Sequence, residues 1–102
     1  MPRFYRIVTE PDPPLRDFRS HADRGHVFPD LELQHRAEEV SIWDDLARVR
    51  QLARGKPWLD RHVAILEIPS GVELHPGRRG HWGIRGARPE QIKGWVVEVV
   101  PL

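Results

Sequence analysis

The chain has 102 residues, a formal net charge of +1 and no cysteine. That length holds a single domain over residues 1–102, and the near-balance of charge gives the chain as a whole no strong field for a polyanion. The missing thiols exclude disulfides, thiolate nucleophiles and cysteine-ligated zinc. Hydrophobic residues make up 39% and include four tryptophans, which can supply a core. The start "MPRFYRIV" lacks the pattern of a secretory leader, and no apolar stretch approaches the ~18 residues of a membrane span. A soluble, cytoplasmic protein without a membrane partner is expected.

"RFYRIV" combines aromatic and β-branched residues and ends at the proline-rich "TEPDPP", so it reads as a first strand with Phe4 and Arg6 on one face. "DPPLRDFRSHADRG" carries helix marks: Asp12 as N-cap, proline in the first turn, Leu15, Phe18 and Ala22 along one side, Gly25 as the stop. From His26 to Glu39 no period is sustained, and an irregular segment is expected. "VSIW" predicts a short strand. "DDLARVRQLARG" predicts a helix with Leu46, Val49, Leu52 and Ala53 as its buried stripe. "RHVAILEIP" is apolar enough to be a central strand covered on both faces. "VELH" and "HWGI" predict two short strands about the turn "PGRRG", "RPEQIKG" a turn or single helical turn, and "WVVEVVP" a last strand. The sum is a small α+β domain with a split antiparallel or mixed sheet and two short helices. Open strand edges would also support a homodimer.

Motifs with chemical content are sparse. Six histidines are present, but neither HExxH nor a histidine-rich cluster, so no metal site is expected. His21, His26, His35 and His62 read as exposed or singly bonded, whereas His75 and His81 flank the arginine turn and are better placed for chemistry. "GRRGHWGIRG" lacks the strand-to-helix setting of a phosphate loop. Ser20, Ser41 and Ser70 lie in no nucleophile elbow. Glu38, Glu39, Asp44 and Asp45 read as solvated surface or a helix start. Arg78, Arg79, Arg85 and Arg88 beside a tryptophan form a generic nucleic-acid signal, which a solvated loop explains as well.

In order, the pieces resemble the ADP-ribosyltransferase superfamily of small split-sheet domains. "FYRIV" is similar to its first strand, "VSIWDDLARVRQLAR" to its second motif, and "GHWGIRGARPEQIKGWVVEVVP" to its closing segment. The resemblance implies NAD as ligand, with Arg6 on phosphate or ribose and Ser41 and Trp43 lining the nicotinamide side. His81 stands where the family carries its catalytic glutamate. Cleaving the nicotinamide bond builds oxocarbenium-like charge, which a carboxylate stabilises better than an imidazole. Glu90 is then a candidate for the acidic role, with His81 polarising the ribose. The expected function is NAD or ADP-ribose binding, as an ADP-ribosyltransferase or an NAD glycohydrolase with the acceptor left open. The flanking glycines would let backbone approach the ligand, and Arg6, Trp43 and His81 would share one pocket. The alternatives are a noncatalytic module for nucleic acid or a protein partner, and a small acid-base ribonuclease using His75 or His81 with Glu73 or Glu90.

Overall fold

A computed structural model describes residues 3–19, 39–55, 62–77 and 79–102. Along the chain lie β1 (Arg3–Val8), a 3-10 turn (Leu15–Phe18), β2 (Val40–Trp43), α1 (Leu46–Gly55), β3 (His62–Glu67), β4 (Glu73–Pro76), β5 (His81–Arg85), α2 (Pro89–Gly94) and β6 (Val96–Pro101). The strands form a six-stranded sheet in the order β4-β5-β2-β1-β3-β6. Among the described residues every pairing is antiparallel, so the described sheet is antiparallel and not mixed. The α+β class stands.

The sheet is two three-stranded halves that barely join. β1 pairs with β3 along its whole length, from Arg3↔Glu67 to Val8↔His62, and β2 pairs with β5 from Val40↔Ile84 to Trp43↔His81. Between β1 and β2 the ladder has only the Tyr5↔Trp43 position.

Alternation assigns the faces, since directly paired residues project to the same side. One face, called the rear, gathers Phe4, Val8, Ile42, Ala64, Leu66 and Ile84 into the main core together with Phe18 and Ile92. The 3-10 turn and α2, which pack on each other, contribute Phe18 and Ile92. On the front face, Val63 and Ile65 are buried outside that cluster. So are Val49 and Ala53 of α1, which packs on β1 and β2. This double cover explains why β3 buries Val63, Ala64, Ile65 and Leu66 in succession. It lies between β1 and β6, however, one place in from the sheet edge rather than at its centre.

The helix expected over residues 12–25 is corrected in its described part to the four-residue 3-10 turn. Pro14, not Asp12, is its N-cap, and it makes no side-chain cap. Asp12 instead faces Lys93 at 3.4 Å. The chain is extended again at Arg19, with ψ 143°. Tertiary anchors replace helical hydrogen bonds here. Phe18 is fully buried, and the Asp17 carboxylate, 5% exposed, accepts from the Thr9 amide at 2.9 Å and hydroxyl at 2.7 Å. Residues 20–38, including Ala22, Gly25 and the expected irregular segment, lie outside the described residues, as do His21, His26, His35, Ser20, Glu38 and Arg78.

α1 forms where expected, with Val49 and Ala53 of the expected stripe buried and Leu46 and Leu52 half-buried. Asp45 caps it by accepting from the Ala47 amide at 2.9 Å. α2 starts with proline, and Gln91 Oε1 accepts from the Arg88 amide at 2.9 Å. At the sheet edges, β4 is short and ends in Pro76, while β6 has a register shift opposite Ile65 and Leu66 that exposes Val97. Short strands, proline and bulges all discourage edge-to-edge pairing. Among the described residues no helix is long and apolar enough to cross a membrane.

Candidate functional site

The sequence-predicted residues separate into two groups on opposite faces. Arg6 projects with Phe4 and Val8 to the rear, since it pairs with Ala64 of the core. Trp43 and His81 pair with each other and, through Tyr5, belong to the front. Their rings meet edge to face, with centroids 5.3 Å apart. Ser41, two positions before Trp43, also projects forward and pairs with Gly83. The shared pocket expected for Arg6, Trp43 and His81 is therefore corrected: the sheet lies between Arg6 and the other two. Glu90 is exposed in the first turn of α2, whose Ile92 enters the rear core, so it does not join His81.

Arg6 sits in the split between the halves. Its Nη1 donates to the Ser41 carbonyl at 2.6 Å and its Nε to the Asp17 carbonyl at 2.6 Å. The guanidinium thus supplies the missing β1–β2 ladder with a donor and ties both strands to the 3-10 turn. A planar fork with a permanent charge suits two carbonyls in different directions. Arg6 and Ser41 are brought together, but through the serine backbone.

On the front face the structure adds a residue that the sequence reading assigned to solvated surface. Glu39 Oε1 accepts from Arg85 Nη2 at 2.7 Å, and its side chain is only 11% exposed. It lies over Gly83: a Cβ there would collide with Glu39 Oε2 and come 2.7 Å from Cδ and 2.9 Å from Cβ. Gly80 is filled in the same way. It has φ +80°, and its missing Cβ would fall 2.6 Å from Asp44 Oδ1. Asp44 Oδ2 also accepts from the Trp82 indole at 3.0 Å. The glycines flanking His81 and Trp82 thus receive acidic side chains of this chain, not a ligand. Gly83→Ala is expected to push Glu39 off its seat and cost about 1–3 kcal/mol, the usual penalty of overpacking. Urea denaturation checks this, and an unchanged midpoint would show that Glu39 gives way freely.

Beyond Gly83, the front face continues to β4. His75 pairs with Gly83 and Glu73 with Arg85. His75 Nε2 lies 3.1 Å from Glu73 Oε1 but is not aligned for a hydrogen bond, and that nitrogen is buried without a partner, as is Arg85 Nε. The described residues contain no group of three or more His, Asp and Glu side chains able to hold a metal ion.

Three of the five residues named from sequence therefore share the front of β2 and β5, with Glu39 and Arg85 beside them. No protein-family model, curated protein or solved structure gives a match to this chain, so the site rests on its own chemistry.

Proposed function

We propose that the domain binds NAD or another ADP-ribose-containing ligand on the front of β2 and β5, as an ADP-ribosyltransferase or NAD glycohydrolase. The observation that carries the reading is the Trp43–His81 ring contact beside Ser41. It sets an aromatic edge, an imidazole and a hydroxyl on one side of two neighbouring strands, which suits a planar ring joined to a ribose. Fit is partial. Both Arg6 donors that reach Asp17 and Ser41 are spent on backbone, so in this reading Arg6 fixes the Ser41 strand from behind and does not grip phosphate. Arg79, exposed two residues before His81, is the described cation closest to it in sequence on that hairpin. The carboxylate that nicotinamide-bond cleavage calls for is Glu39, on the same face, rather than Glu90.

Calorimetric titration with NAD tests this. Binding is expected, and Trp43→Ala should weaken it by about tenfold or more, the scale of one lost aromatic stack. No heat at millimolar NAD, or equal affinity without the indole, removes the proposal.

A further inference from the structure

The β4–β5 hairpin carries a second arrangement, which shares His81 with the proposed ligand site and adds the side chains of β4. Along the front of β4 run Glu73, His75 and Gly77, and opposite them on β5 run Arg85, Gly83 and His81. The Gly77 amide donates to the His81 carbonyl at 2.7 Å and closes the hairpin. The His81 imidazole leans across onto β4, because a Cβ at Gly77 would press on its Nδ1. It thereby occupies the side-chain space next to His75 on the same strand face. Residues two apart on one strand are roughly 6–7 Å apart. With the His81 ring seated over Gly77, the two imidazoles share that strand face and can flank a phosphodiester, one near the attacking oxygen and one near the leaving oxygen.

Three further features bear on the same hairpin. Glu73, at 3.1 Å, sits against His75. Trp43 meets the His81 ring edge to face. At the tip Arg79 is exposed and holds φ +54°, a left-handed conformation that a side-chain-bearing residue adopts at a cost of about 1–2 kcal/mol. Glu39, Glu73 and Asp44 are the nearby carboxylates that oppose an anion, and contact with Arg85 offsets the charge of Glu39.

The geometry points to metal-independent cleavage of single-stranded RNA by His75 and His81 acting as a base and acid pair. His75 takes the proton of a ribose 2′-hydroxyl, the 2′-oxygen bonds to phosphorus, the phosphorus–O5′ bond breaks, and protonated His81 gives its proton to O5′. The products are a 2′,3′-cyclic phosphate and a 5′-hydroxyl, and water returns the two imidazoles to their starting states. Arg79 faces the phosphate chain, and Glu73, 3.1 Å from His75 Nε2, is a positioning residue that pairs with the ring once His75 has taken the proton. Glu90, on α2, takes no part.

The test uses the full chain, EDTA and a fluorescent DNA oligonucleotide containing one ribonucleotide, without NAD. Cleavage is expected only on the 3′ side of the ribonucleotide, with a cyclic phosphate end and a bell-shaped dependence of rate on pH. His75→Ala and His81→Ala should each slow it about 100-fold while the melting temperature holds. Glu73→Gln should slow it less and change the pH profile. An intact ribonucleotide, cutting of the all-DNA strand, or cleavage that survives both histidine variants overturns the inference. None of these readouts depends on NAD, so failure of the ligand proposal and failure of this one are separable.

Discussion

Arg6→Ala is expected to lower stability by about 2–4 kcal/mol, because it strips a charged donor from each of two backbone carbonyls. Those acceptors, Asp17 O and Ser41 O, belong to elements that no continuous ladder connects to β1. Hydrogen bonds to a charged donor are worth about 1.5–3 kcal/mol each, and partial rehydration of the vacated split returns some of that. For a chain of this size the loss corresponds to about 4–8 °C of melting temperature per kcal/mol. Arg6→Lys should recover less than half, since one ammonium cannot span two carbonyls in the directions of a guanidinium fork. Thermal unfolding of the three proteins decides the matter. If Arg6→Ala melts with the wild type, the two carbonyl contacts do not contribute to stability.

That residue also shows what the amino-acid sequence can and cannot carry. The strands were legible because β-branched and aromatic runs end at proline and glycine, and the α1 stripe because Val49 and Ala53 recur at helical spacing. Alternation put Phe4 and Arg6 on one side of β1, and the structure agrees. What alternation within a strand cannot say is whether Arg6 shares a side with Ser41 and Trp43. That depends on the register between β1 and β2, and a slip of one residue reverses the answer. The observed Tyr5↔Trp43 pair sends Arg6 rearward.

Glu39 was hidden for a related reason. An acid ahead of a short strand looks like solvated surface until a partner strand places Gly83 beneath it and Arg85 within reach. The signal was present in "HWGIR", where a glycine and an arginine alternate on one face, but only pairing with β2 shows which side chain they receive. The residues after Asp12 misled in the opposite direction. Their apolar spacing fits a helix, yet Pro13 and Pro14 supply no amide donors, and the burial of Asp17 and Phe18 selects a single tight turn.

Phe18→Ala should therefore be the more damaging of the two core and clamp changes, at about 3–5 kcal/mol for a fully buried aromatic ring. A four-residue 3-10 turn has almost no intrinsic stability, so the ring is what keeps it on the sheet. Phe18 fills the rear core alongside Ile92. Once the ring is gone, the turn can leave, and the Asp17 carbonyl leaves Arg6 with it. The two sites are then one cooperative unit. In a double-mutant cycle, Phe18→Ala with Arg6→Ala should cost less than the sum of the single changes, by about 1 kcal/mol or more. Strict additivity would mean that the turn stays docked without its aromatic anchor. In that case the Asp17 carboxylate, through its two bonds to Thr9, is what holds the turn in place.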